Sequence, residues 1–273
     1  MTLAISAILG GILLVGRPVI RFVRESFLQR VASSHYEILW PKGAASLDVM
    51  SQFAQRREPL FADLDKKLAA AGRNAKIRIV FEPRLTAQMG SEHGEAPYAV
   101  DGTTIRTQLT NAQSPQLSSA ADAEALLYAA WGRPGNREIG GWTAVALAGE
   151  WHGAEIGMAA AEVEQRLGHE RLANLFAGPS DGISAEDESL LGAAWISEVG
   201  EFGGRDAVRE LYAAKMSHPS AAEITKVLGT SPLELERKWE LWMDAYLAGM
   251  PSMQSSSGMH MGMPMNMPMN GAR

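Results

Sequence analysis

Cysteine is absent from the 273 residues, and its absence excludes several kinds of chemistry at once. Without thiols the chain has no disulfide, no thiolate nucleophile and no cysteine-ligated zinc. Any metal site would therefore need histidine, carboxylate or methionine ligands. The absence does not identify a cellular compartment, because cysteine-free proteins occur on both sides of a membrane.

An excess of positive charge is lacking as well. The chain has 25 lysines and arginines against 31 acidic residues, a net charge of -6. Proteins that bind nucleic acid usually present a basic surface, so we expect no nucleic-acid partner. The remaining composition, with 46% hydrophobic and 21% charged residues, is that of an ordinary folded protein with a sizeable core.

Recognisable catalytic motifs are scarce. The sequence has no glycine-rich phosphate loop, nucleophile-elbow serine or paired-carboxylate motif. His152, His169 and His218 are isolated, and none has a second histidine at the helical spacing that zinc binding needs. His169-Glu170 has the form of half a zinc motif, but Ala173 stands at the partner position. We therefore expect no cofactor and no zinc site in the folded region.

Charge is also missing from Thr2 to Gly16, and arginines follow this apolar run directly. The run is short for a membrane span of about 20 residues, but a helix extended to Val23 is long enough if its arginines reach the headgroups. In a cleaved signal peptide the positive charges precede the apolar run instead. We predict a retained single-pass anchor in residues 1–30 and favour it over a cleaved signal peptide or a plain buried helix. Its anchoring residues are Leu3, Ile5, Ile8, Leu13, Leu14 and Arg17.

The arginines and glycines of this segment indicate its surroundings. Arg17, Arg21 and Arg24 place the following domain on the cytoplasmic side by the positive-inside rule. Gly10 and Gly11 permit close approach of other transmembrane helices. The predicted partners are therefore the lipid bilayer and other membrane-protein subunits.

Residues 31–249 have the pattern of an α+β domain, with a small mixed sheet and a long helix first and a mainly helical half second. His35–Pro41 and Lys76–Pro83 alternate like strands. Between them the apolar residues recur at helical spacing, with a kink predicted at Pro59 and an end at Gly72. An Asp-Gly pair at position 101 predicts a hairpin turn.

Four serine-x-x-acid or serine-proline patterns predict helix starts in the second half. The predicted capping serines are Ser119, Ser184, Ser220 and Ser231. The last of these helices carries an apolar stripe that we interpret as core. The stripe consists of Leu235, Trp239, Trp242, Met243 and Tyr246.

The order of these pieces resembles the gluzincin-like metallopeptidase superfamily, the peptidase MA-like domains, from about Ser34 to Leu247. SSHYEILWP is similar to the family's opening strand, AADAEALLYAAWG to its zinc-binding helix, and GGWTAVALAGEW to its helix with the third zinc ligand. The helical end, with a glycine-rich turn, LGTSPLELE and a tryptophan-rich last helix, matches in order. The resemblance implies a zincin-like fold.

The catalytic positions implied by this resemblance are not filled. The family places histidines at i and i+4 of one helix, with a glutamate beside the first that polarises the zinc-bound water. When the chain is aligned with the family pattern on Glu124, Ala123 and Leu127 occupy the two histidine positions. When it is aligned on Trp142, Val145 occupies the position of the third zinc ligand. None of these three residues binds zinc, and a glutamate without metal has no acidified water to activate. Glu124 then has a simpler role as a charge near a helix N-terminus.

The tail, residues 250–273, is low in complexity and holds eight of the fourteen methionines. It cannot form a core of its own. Thioethers bind Cu(I), so one interpretation is a copper site. The alternative, which we favour, is a partner-binding tail with adaptable apolar contacts. The candidate copper ligands are Met259, His260, Met261, Met263, Met265, Met267 and Met269.

These features predict a non-catalytic, membrane-anchored structural or interaction protein, an accessory or stabilising subunit of a larger membrane complex. Energy-transducing and photosynthetic complexes are candidate hosts. Two alternatives stay open: a hydrolase with an unrecognised site on a zincin-like fold, and a copper-binding protein that acts through its tail. The side of the membrane is also open, since domains of this family are commonly extracytoplasmic whereas the arginines favour the cytoplasmic face.

Overall fold

The computed structural model describes residues 28–83, 97–167, 175, 183–217 and 219–249. These residues form an α+β domain in which a small mixed sheet precedes a helical half, as the sequence predicts. The strands are β1 (Leu28–Ala32), β2 (Tyr36–Pro41), β3 (Ile77–Glu82), β4 (Tyr98–Asp101), β5 (Thr104–Gln108), β6 (Glu150–Trp151) and β7 (Ala154–Glu155). The helices are α1 (Leu47–Lys67), α2 (Ser119–Trp131), α3 (Arg137–Ala148), α4 (Ile156–Leu167), α5 (Ala185–Ala213), α6 (Ala221–Leu228) and α7 (Pro232–Gly249).

The main sheet has five strands in the order β1-β2-β3-β5-β4. The three central strands run parallel, and the two edge strands are antiparallel to their neighbours. Tyr36 pairs with Ile77, and Ile79 pairs with Ile105. The predicted hairpin at Asp101 joins β4 to β5. The predicted alternation of β3 is confirmed, because its first, third and fifth side chains are buried.

Strand β1 begins inside the range that the sequence assigns to the anchor. Leu28 pairs with Pro41 and Ala32 with Glu37, so the last residues of the range 1–30 belong to the sheet. The physical reason is that β2 offers its outer edge to β1, which satisfies backbone groups of both strands. Val31 also packs against the core beneath the sheet. The rest of the predicted anchor, residues 1–27, lies outside the described part of the chain.

Helix α1 packs against β1 and β2 at one side of the sheet. Ser46 caps it by accepting a hydrogen bond from the Val49 amide at 3.2 Å. Pro59 lies inside the helix, which ends at Lys67 rather than at the predicted Gly72. The intervening residues form turns, and the Asp65 side chain accepts a hydrogen bond from the Gly72 amide at 2.9 Å. The chain thereby turns from α1 back into β3.

Three of the four predicted helix caps are confirmed. The hydroxyls of Ser184, Ser220 and Ser231 each accept a hydrogen bond from the amide three residues later. The fourth prediction is wrong by one residue, because Ser118 caps α2 while the Ser119 hydroxyl donates to Glu150 at 2.8 Å. In the last helix, α7, the predicted stripe is core: four of its members are buried and Tyr246 packs against them.

The interior is divided into two hydrophobic clusters. The first, which we call the sheet-side core, lies between the sheet, α1 and α2 and includes Trp40, Phe61 and Phe81. The second, the helical core, lies among α3, α4, α5 and α7 and includes Trp195 and Trp239. Helix α3 contributes residues to both the sheet-side core and the helical core.

Candidate functional site

Helix α2 carries three of the four positions that the resemblance assigns to a lost zinc site. Ala123 and Leu127, at the two histidine positions, are both 0% exposed. Both belong to the sheet-side core. At the two positions that the resemblance assigns to histidines, aliphatic side chains thus stabilise the fold by burial.

Glu124 is partly buried on the same helix. Burial raises its pKa, and the nearby positive charge of Arg137 opposes that rise. The carboxylate in turn contributes to the raised pKa of the Tyr212 phenol, for which burial is the larger cause. Glu124 therefore interacts electrostatically with the guanidinium of Arg137 at the start of α3 and with the phenol of Tyr212 near the end of α5.

Tyr212 links the end of α5 to the connection between α2 and α3. Its hydroxyl donates to the Gly132 carbonyl at 2.9 Å, and its carbonyl accepts from the Gly135 amide at 2.8 Å. Its ring meets Trp131 edge-on, with centroids 5.5 Å apart. In the same loop, Asn136 donates to the Met216 carbonyl at 3.2 Å. These bonds hold the α2–α3 connection against the end of α5.

Val145, the third ligand position, faces a different environment from Ala123 and Leu127. It is partly buried on α3 and packs against the helical core. Its neighbour Ala144 belongs instead to the sheet-side core. The four vestigial positions therefore do not lie in one apolar cluster, because Ala123 and Leu127 belong to the sheet-side core and Val145 packs against the helical core.

The described residues contain no group of three or more His, Asp and Glu side chains placed to hold a metal ion. Nδ1 of His35 lies 2.6 Å from Oε2 of Glu58. Nε2 of His152 lies 3.0 Å from Oε1 of Glu186. Each imidazole is thus paired with a carboxylate, and all four side chains are partly exposed. His169, His218 and the methionine-rich tail lie outside the described residues.

A buried ion pair between α1 and α2 is the main polar feature that was not predicted from the sequence. Nε of Arg57 donates to Oδ1 of Asp122 at 3.0 Å, and Nη2 contacts Oδ2. Nη1 and Nη2 also donate to the carbonyls of Leu117 and Ser118, at 3.1 and 3.3 Å. Asp122, predicted to take part in a helix cap, instead binds a guanidinium 65 residues away in sequence.

The surroundings of Arg57 are apolar. Its guanidinium carbon lies 5.3 Å from the centroid of the Phe53 ring, within cation–π range. Burial lowers the pKa of Arg57 to about 10, which leaves it charged at neutral pH. A sequence signal for this pair exists, because Arg57 interrupts the apolar face of α1 that Phe53, Phe61 and Leu64 share.

A surface cleft of about 330 Å³ opens beside this ion pair. One side is the face of α1, and the other is the segment that leads into α2. Its apolar walls are Phe53, Leu60, Pro115 and Leu117. Arg56 and Gln116 stand at its exposed rim, and Arg57 lies at its base. The cleft combines an apolar interior with a cationic edge.

The membrane predictions concern other parts of the chain. Among the helices of the described residues, none combines the length and the apolar character that crossing a bilayer requires. Leu3, Ile5, Ile8, Leu13, Leu14 and Arg17 lie outside that part, as do Met259, His260, Met261, Met263 and Met265.

Comparison with protein families, with curated proteins and with solved structures finds no match to the chain.

Proposed function

We propose that this chain is a non-catalytic, membrane-anchored interaction protein whose zincin-like domain is a degenerate relative of the gluzincin-like peptidases. The observation that carries the proposal is the burial of Ala123 and Leu127 at the two histidine positions of α2. A zinc hydrolase needs three protein ligands and an open coordination position. Here two of those positions contribute to hydrophobic packing, and Val145 packs against the other core.

The N-terminal sequence supports the anchored part of this proposal. The uncharged run from Thr2 to Gly16, followed by Arg17 and Arg21, has the composition of a membrane helix with a basic flank. Its glycines suit packing on other membrane helices. The methionine-rich tail at the other end suits adaptable contacts with a protein partner. The proposed role is an accessory or stabilising subunit of a larger membrane complex, for which energy-transducing and photosynthetic assemblies are candidate hosts.

The test is purification of the full chain from its native membranes in a mild detergent. We expect it to migrate with other subunits as a complex larger than the 29.4 kDa monomer. The matched control lacks residues 2–25, which removes the predicted anchor and leaves β1 intact. That variant should be lost from the membrane fraction. A full chain that is monomeric at every step would contradict the subunit proposal.

The second candidate is a hydrolase, and the environment of Glu124 is the observation that favours it. A carboxylate with a raised pKa beside a phenol is a pair that acid–base catalysis can use. Hydrolysis that a chelator abolishes, and that Glu124→Gln also abolishes, would support this function against the first. Hydrolysis that persists in Glu124→Gln would count against a role for this carboxylate.

The copper alternative rests on the sequence of the tail. Titration with Cu(I) should compare the full chain with a chain that ends at Gly249. A higher stoichiometry for the full chain would support copper binding by Met259, His260, Met261 and their neighbours. Equal stoichiometry would leave partner contact as the role of the tail.

A further inference from the structure

We infer that the cleft between α1 and the Pro115–Leu117 segment is a docking site for a partner-protein segment that carries an apolar side chain next to a carboxylate. The inference rests on the proposed interaction function and names the surface that performs it.

The shape and lining of the cleft favour a side chain as the occupant. Phe53, Leu60 and Leu117 present carbon surface around a space of about 330 Å³. This lies at the small end of the range for binding pockets. Interfaces are commonly anchored by one apolar side chain inserted into such a pocket and surrounded by a polar rim.

The charge at the rim favours an acidic neighbour to that side chain. Arg56 is exposed at the edge of the cleft and makes no ion pair or hydrogen bond within the described part of the chain. The charge of Arg57 is already matched by Asp122. The N-terminal end of α2, which begins two residues after Leu117, carries a partial positive charge near this wall of the cleft. Arg56 is therefore the cation available to a carboxylate from outside.

Rigidity of the walls supports docking without large rearrangement. Arg57 fixes the Leu117 and Ser118 carbonyls to α1 through two hydrogen bonds. Its ion pair fixes α2 to the same helix. Both sides of the cleft are thus joined by one buried guanidinium, and a preformed site loses less entropy when it binds.

A second cleft, beside His35, is a weaker candidate. It is also lined by two cations, Lys66 and Arg73, whose side chains have no partner among the described residues. Lys66, however, stands in the last turn of α1, where the helix dipole alone accounts for a lysine. The carboxylate of Asp65 also lines this cleft and opposes an anionic ligand. Among the described residues that line the first cleft, none is a carboxylate.

The absence of cysteine allows a direct test with a single introduced thiol. Gln116→Cys in the full chain places a thiol at the rim, and Asn74→Cys, in the turns that lead into β3, is the matched control. Each is labelled with a benzophenone maleimide in native membranes and irradiated, and the cross-linked residues are sequenced. We expect the position 116 probe to attach to a protein segment with an apolar residue adjacent to Asp or Glu. We expect no such product from position 74.

Charge reversal then tests the role of Arg56. Arg56→Glu combined with Gln116→Cys should lower the cross-link yield by about tenfold, because the like charge repels the acidic residue. Arg73→Glu, an equally exposed arginine beside the second cleft, should leave the yield unchanged. The circular dichroism spectrum of each variant checks that it is folded.

The remaining outcomes overturn this inference in distinguishable ways. A complex that persists while position 116 gives no protein cross-link contradicts the docking site and leaves the proposed function intact. Cross-linking to lipid or to a second copy of this chain contradicts the assigned occupant. A yield unaffected by Arg56→Glu contradicts the charge argument. A full chain that is monomeric contradicts both the inference and the proposed function.

Discussion

Arg57 and Asp122 form an ion pair that is almost completely removed from solvent, with side-chain exposures of 9% and 0%. Two further N–H groups of the guanidinium donate to backbone carbonyls. A single buried arginine therefore links the long helix of the sheet half to the first helix of the helical half. This arrangement makes each partner dependent on the other, since either charge alone would be buried without compensation.

We predict that Asp122→Ala lowers the free energy of unfolding by about 3–5 kcal/mol, because it leaves a buried guanidinium unpaired. The double variant Arg57→Met with Asp122→Ala should lose much less than the sum of the two single variants. Denaturant titration of the wild type, Arg57→Met, Asp122→Ala and the double variant gives the coupling energy. Arg166→Gln breaks the exposed pair with Asp187 and should change stability by less than about 1 kcal/mol. Additive losses at Arg57 and Asp122 would contradict the predicted dependence.

The stability of the domain should depend on pH through Glu198. Burial raises its pKa to about 7 from 4.5, against the attraction of Lys238 on α7 and with a further rise from Glu201. The folded state therefore binds a proton that the unfolded state has released between these values, so stability falls as pH rises through this window. Relative to Glu198→Gln, the wild type should lose about 3 kcal/mol between pH 4.5 and 7.

Unfolding curves at several pH values measure this difference, and Glu240→Gln, at an exposed position of α7, is the control. Its curve should follow that of the wild type throughout. A Glu198→Gln variant whose stability runs parallel to the wild type at every pH would show that this carboxyl does not titrate as described.

Two glycines in helices should respond in opposite directions to alanine. A Cβ at Gly192 would lie 2.2 Å from the buried Trp142 indole, so Gly192→Ala should destabilise the fold by about 1–3 kcal/mol through overpacking. At Gly141 no atom of the described residues lies within 4 Å of the added carbon, so Gly141→Ala should stabilise by about 0.5–1 kcal/mol. Thermal unfolding of both variants measures the signs. Equal effects would mean that α3 and α5 do not approach as closely as described.

Tyr212→Phe should destabilise the α2–α3 connection by about 1 kcal/mol, since the Gly132 carbonyl loses a buried donor. Tyr246→Phe is the matched control, because its hydroxyl donates to the exposed Glu155 carboxylate and water can replace it. Hydrogen exchange of the amides in residues 132–136 is the sensitive measurement. Faster exchange in Tyr246→Phe than in Tyr212→Phe would contradict the role of Tyr212 in holding the α2–α3 connection.

Local patterns account for the elements that were predicted correctly. The period-two alternation of β3 and the serine caps of α5, α6 and α7 depend on neighbours within a few residues. The serine-x-x-acid pattern selected Ser119 because Asp122 follows three residues later, but Asp122 binds Arg57 instead and the adjacent Ser118 is the cap. The distinction depends on Glu150, a distant residue that binds Ser119.

Long-range relationships account for what the sequence did not indicate. The pairing of β1 with β2 depends on the edge that β2 exposes, and LQRVA has little strand pattern of its own. The partner of Arg57 could not be found by spacing, because tertiary packing brings Asp122 to it. Ala123 and Val145 likewise belong to different cores because of how α2 and α3 pack. The sequence of each helix alone does not predict that packing.

Helix α3 contributes Ala144 to the sheet-side core and Trp142 to the helical core. Trp131, at the end of α2, also contacts both. Neither half can therefore melt without exposing apolar surface that belongs to the other. The consequence is cooperativity: the two halves behave as a single thermodynamic unit, with one unfolding transition in place of two.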